Sequence, residues 1–143
     1  MQMKKRDFLG LGLASALAVT VPQMVAAAEW VDYTDADPIN EALAAGKIVL
    51  VDYAAAWCSV CAKQERVINA LRSDNPDYDA KIVFVRVDWD DFRSAPVTRD
   101  RKIPRRSTLI VLKGDEEIGR VVGGTSQDQI KELMDAGLNA VTS

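Results

Sequence analysis

The chain contains no histidine and only two cysteines among its 143 residues. The first absence removes histidine-based acid–base catalysis and imidazole–metal ligation from consideration. The second excludes a disulfide framework, and two thiols supply too few ligands for a structural zinc site. No internal repeat or low-complexity segment interrupts the chain, which sets repeat architectures aside. What is present, 48% apolar and 27% charged residues, is the composition of a soluble globular protein, and the length suits one domain.

Residues 1–28 read as an export signal. Lys4-Lys5-Arg6 forms a basic leader, residues 8–25 form an apolar core, and Ala26-Ala27-Ala28 ends it as a small-residue cleavage site. The apolar core is marginal as a membrane span and no stop-transfer pattern follows, so no stable membrane insertion is expected after signal removal. An uncleaved anchor is the weaker alternative. Lys5-Arg6-Asp7-Phe8-Leu9 resembles a twin-arginine signal with lysine in place of the first arginine, which leaves the Sec and Tat routes both open. The expected domain is then 29–143, with 15 basic against 20 acidic residues and a net charge of −5. An acidic body argues against nucleic-acid or anionic-membrane binding.

The two cysteines stand together in Trp57-Cys58-Ser59-Val60-Cys61. Before them, Ile48-Val49-Leu50-Val51 reads as a strand buried on both faces, closed by Asp52. After them, residues 62–71 read as a helix with Val67, Ile68 and Leu71 inward. A Cys-x-x-Cys pair at a strand-to-helix junction is a redox arrangement, because the helix N-terminus favours the first thiolate. The competing reading, a static disulfide, closes too short a ring to restrain much of the chain. An exported cysteine pair lies in an oxidising compartment, so an electron partner must set its state.

Elsewhere the pattern predicts an edge strand near 29–34 and a helix capped by Asp37-Pro38 and stopped by Gly46. Ser73-Asp74-Asn75-Pro76-Asp77 reads as a plain turn, and residues 81–87 as a strand. The stretch 88–106 reads as irregular, with one short helix near 97–102. Strands over 108–112 and 118–122 flank a tight Gly114-Asp115 turn, and Ser126-x-x-Gln129 opens a last helix with Ile130, Leu133, Met134 and Leu138 inward. This order predicts an α/β sandwich: a mixed central sheet with a C-terminal antiparallel hairpin and helices on both faces.

Over residues 30–140 the chain resembles the thioredoxin superfamily. The resemblance rests on Val51-Asp52-Tyr53-x-x-x-Trp57-Cys58-x-x-Cys61, on Val85-Arg86-Val87-Asp88, and on residues 108–112 with the following turn and Gly123. The segment 53–61 is also similar to the C-terminal domain of bacterial periplasmic thiol–disulfide interchange proteins. The resemblance implies a thioredoxin-like three-layer fold and a periplasmic thiol–disulfide oxidoreductase without a cofactor. Its partners would be client protein disulfides and an upstream dithiol electron donor. The reducing direction is expected, since no histidine stands between the cysteines to stabilise the dithiol strongly.

By the same resemblance Cys58 is the nucleophile, exposed at the helix N-terminus, and Cys61 is the resolving thiol one turn deeper. Asp52, if buried beneath them, would have a raised pKa and accept the proton of Cys61; otherwise it is a solvated strand end. Arg86 stands where the family has a lysine, and its guanidinium would oppose that rise. Trp57 is either a docking surface beside the nucleophile or a core aromatic. Two departures stand out: Ser59-Val60 between the cysteines, and Ser107 where the family places a cis-proline. The Arg106–Ser107 bond is expected to be trans, because a cis bond before a non-proline costs about 2.5–4 kcal/mol. Serine there would restore a backbone N–H, put a hydroxyl facing Cys58 and alter substrate selection.

Arg99, Arg101, Lys102, Arg105 and Arg106 crowd one short window, with Arg105 and Arg106 expected beside the cysteines. There they would attract an acidic partner. Two further classes compete with the oxidoreductase: a Cu(I) or soft-metal module using the Cys58/Cys61 dithiol, and a non-catalytic adaptor.

Overall fold

The computed structural model describes residues 29–141, and the expected export segment lies outside the described residues. The elements in chain order are β1 (Val31–Asp32), α1 (Pro38–Ala44), β2 (Ile48–Ala54), α2 (Ser59–Asp74), α3 (Asp77–Lys81) and β3 (Ile82–Asp88). There follow α4 (Trp89–Phe92), α5 (Pro96–Arg99), β4 (Thr108–Lys113), β5 (Glu116–Val122) and α6 (Gln127–Ala140). The five strands form one sheet in the order β1-β3-β2-β4-β5. β1, β3 and β2 run parallel, whereas β4 and β5 join antiparallel. This is the expected mixed sheet with a C-terminal hairpin.

Strand periodicity builds the two cores. Successive side chains of a strand point to opposite faces. Ile48 and Leu50 of β2 therefore share a core with Phe84, Leu109, Val111, Ile68 and Met134, under α2 and α6. Val49, Val51 and Tyr53 enter the opposite core with Ile39 of α1, Val85, Val87 and Ile110. The sheet is thus covered on both sides, the three-layer sandwich that the pattern predicts.

Local chemistry sets the boundaries. The Asp37 carboxylate accepts from the N–H of Asn40, and Pro38 occupies the first turn of α1. Gly114, at φ 55, supplies the left-handed residue of the two-residue hairpin turn, and a register shift at Val111/Leu112 bends the ribbon. The Ser126 side chain accepts from the N–H of Gln129 at the start of α6.

Four expectations are corrected. α2 begins at Ser59 and continues to Asp74, and the segment expected as a plain turn narrows to Asn75-Pro76 between α2 and α3. One long-range anchor and one local pair hold that helix. Tyr78 is buried and its hydroxyl donates to Asp135 of α6, while Arg72 pairs with Asp79. Turn-forming composition yields to these contacts, and the strand expected from 81 starts at Ile82. Likewise the single short helix near 97–102 is replaced by α4, capped by Asp88 through the N–H groups of Asp90 and Asp91, and by α5, opened by Pro96.

Gly137 lets α6 approach the sheet. A Cβ there would lie 3.1 Å from Ile82 and 3.2 Å from Val111. Gly137→Val is therefore expected to overpack this contact and lower stability by about 1–3 kcal/mol, read from the urea midpoint. An unchanged midpoint would mean that α6 is free to move away from the sheet.

Candidate active site

The alternation that sends Ile48 and Leu50 toward α2 sends Asp52 the same way. Its carboxylate is fully buried, and neither oxygen has a hydrogen-bond partner among the described residues. Burial raises its pKa from 3.8 to about 7; Arg86 pulls it down, while Glu65 and Cys58 push it up. Arg86 is the register partner of Asp52 on β3. Its charge is shared with Glu65 of α2, 2.8 Å away, and its guanidinium lies 5.1 Å from the Trp30 ring. Asp52 is therefore a buried, raised carboxyl rather than a solvated strand end.

Cys58 is the N-cap of α2, and its sulfur accepts from the N–H of Cys61 at 3.2 Å. Both cysteines are free thiols. The expectation of an exposed first cysteine is corrected, since Cys58 is only 5% exposed. It packs with Ala54, Ala55 and Cys61, with Val60 and Trp89 against them. Burial alone would raise its pKa. Hydrogen bonds from the Cys61 thiol, the Ser107 hydroxyl, the Cys61 N–H and Arg106 outweigh it and bring the value to about 7. Cys61 moves the other way, pushed up first by burial and then by its bond to Cys58. The same helix end thus carries one readily ionised thiol and one reluctant one.

Ser107 sits between them. Its hydroxyl lies 3.2 Å from the Cys58 sulfur and 3.1 Å from the Cys61 sulfur. No peptide bond among the described residues is cis, and Ser107 adopts φ 63. The backbone N–H expected from a serine is present and donates to the Tyr53 carbonyl at 2.8 Å. The side chain is fully buried, directed at the sulfurs rather than outward.

Trp57 is 60% exposed, which removes the core-aromatic reading. Its indole N–H donates to Asp90 at 2.9 Å, and the Arg106 guanidinium lies 4.5 Å from its ring. Arg106 thus joins the cysteines, as expected, and the Arg105 side chain reaches toward Gly123 on the same rim. Arg101 instead turns toward α5, donating to the Val97 carbonyl that also accepts from Tyr53.

Gln64 escaped the sequence reading. It is fully buried, and its amide donates to the carbonyls of Ser107 at 3.0 Å and Gly124 at 2.8 Å. The available signal was a polar residue at helical spacing in the inward row Cys61, Gln64, Ile68, Leu71. Among the described residues, no group of three or more Cys, Asp or Glu side chains is placed to hold a metal ion.

The raised carboxyl has a stability signature. An acid with a folded pKa above its unfolded one stabilises fully below the unfolded value, near pH 4, and loses that contribution as pH rises through about 7. Asp52→Asn is therefore expected to match wild type near pH 4 and to exceed it in stability at pH 8, by on the order of 4 kcal/mol. Denaturant titrations at both pH values check this, and a constant gap between the two proteins would contradict it.

Residues 31–136 match the thioredoxin family model. A thioredoxin of Echinococcus granulosus is 31% identical over 106 residues, covering 74% of this chain and 92% of that protein. Thioredoxin 2 of Chlorobaculum tepidum is 29% identical over 108 residues, covering 75% and 94%. Among solved structures, Trxlp from Edwardsiella tarda EIB202 superposes with a TM-score of 0.61 at 32% identity, over 72% of this chain and 97% of that one. With a buried dithiol at a helix N-terminus on this fold, the chain belongs to the thioredoxin family and is a thiol–disulfide oxidoreductase.

Proposed function

We propose that this protein is exported to the periplasm and there reduces disulfides of client proteins, recharged by an upstream dithiol donor. Cys58 attacks the client disulfide, Cys61 resolves the mixed disulfide, and Asp52 takes the proton that Cys61 must lose. One observation carries this reading: the two sulfurs are unlike, Cys58 lowered to about 7 at the helix cap and Cys61 raised behind it. A thiol with a pKa near ambient pH is the better attacking group in exchange. Arg106 over Trp57 supports a docking rim that favours acidic client segments.

Three experiments test the proposal. Cys61→Ala is expected to trap a covalent client on Cys58 from the exported fraction, and the wild-type potential is expected near about −270 mV. Absence of any trapped protein, or a potential near about −120 mV, would overturn the reductant role. Separately, fractionation of expressing cells is expected to recover a mature chain beginning at Glu29 in the periplasm, consistent with cleavage after Ala28. A cytoplasmic chain retaining Lys4-Lys5-Arg6 would refute export.

A further inference from the structure

Among the described residues, Ser107 is the side chain that bonds to both sulfurs, at 3.2 Å and 3.1 Å. It has one hydroxyl proton and therefore serves one sulfur at a time as donor. Its backbone is fixed on every side. The N–H donates to Tyr53, while the carbonyl accepts from Gly123 at 2.8 Å and from the Gln64 amide at 3.0 Å. Gln64 stands one turn beyond Cys61 on α2. The helix that presents the thiols thus also grips the loop that presents the hydroxyl. With backbone and helix locked together, rotation about the Cα–Cβ and C–O bonds is the freedom left to the hydroxyl.

We propose that Ser107 is a catalytic residue whose hydroxyl donates in turn to whichever cysteine sulfur carries negative charge, with Gln64 as its positioning residue. The inference rests on the reductase reading above. At rest the hydroxyl donates to the Cys58 thiolate. Attack forms a bond between Cys58 and the client sulfur and breaks the client disulfide, releasing the first client thiolate, which takes a proton from solvent. Cys58 is then bonded through sulfur and uncharged, a poor acceptor. The hydroxyl turns to Cys61 as its proton leaves for Asp52. The Cys61 thiolate forms the Cys58–Cys61 bond and expels the second client thiolate. Two electrons pass from the dithiol to the client, and the serine keeps its proton throughout. A charge-assisted hydrogen bond of this kind is worth enough to change a rate about tenfold.

The test uses the small disulfide 5,5′-dithiobis(2-nitrobenzoate), which releases one coloured thiolate on attack and a second on resolution. Ser107→Gly removes the hydroxyl and tolerates the positive φ; Ser107→Ala repeats the loss with a Cβ kept. Both are expected to raise the pH midpoint of Cys58 alkylation by iodoacetamide by about one pH unit and to slow the second release about tenfold. Gln64→Leu, which leaves the hydroxyl in place but ungripped, is expected to show the same two changes in smaller measure. A wild-type midpoint and second phase in both Ser107 variants would overturn the proposal while leaving the reductase reading intact. A wild-type protein that releases no second thiolate would instead sink the reductase reading and this inference with it.

Discussion

Everything at this site depends on the two-residue period of β2. The strand is buried along its whole length, so each side chain must enter one core or the other. The row that holds Ile48 and Leu50 has no alternative but to carry Asp52 inward beneath α2. A carboxyl placed there by the pleat is fully buried and receives no hydrogen bond from the described residues in exchange. The same pleat aligns Arg86 beside it in register on β3. The unusual acid and its partial counterweight are therefore products of strand geometry, not of a loop closing over them.

A second dependence runs through residue 107. Its left-handed backbone costs on the order of 1 kcal/mol for a residue with a Cβ, and the bonds from Gly123, Gln64 and to Tyr53 hold it there. Proline is incompatible with this arrangement, because its ring fixes φ near −65° and removes the N–H that Tyr53 receives. The loop around Ser107 is built on the positive φ and the backbone N–H that a proline would deny it. Within that loop the site is asymmetric: Cys61 meets burial without the helix-cap bonds that Cys58 enjoys.

Much of this was legible in the residues. The apolar run through Val51, the Cys-x-x-Cys spacing and the Gly114-Asp115 turn announce the sheet, the helix cap and the hairpin, because each obeys a local rule. The hydroxyl of Ser107 facing the sulfurs followed from aligning it with a family position. What was not legible depended on contacts distant in sequence. α3 is anchored where Tyr78 finds Asp135, 57 residues away, with the nearer Arg72–Asp79 pair beside it. The burial of Cys58 reflects packing by Trp89 from another element. Gln64 gave no local signal of its role, because its two carbonyl partners lie on the approach to β4 and after β5.

The margins of the sheet have a consequence of their own. One outer strand, β1, is only two residues long, and the other, β5, bears Glu116, Glu117 and Arg120 beside a bulge in its ladder. Short, charged and bent borders offer little template for a foreign strand. The family acts on proteins whose crosslinks are being opened, and such chains expose backbone ready to pair. The frame that carries the thiols is thus poorly suited to edge-to-edge pairing, whether with a foreign strand or with a second copy of itself.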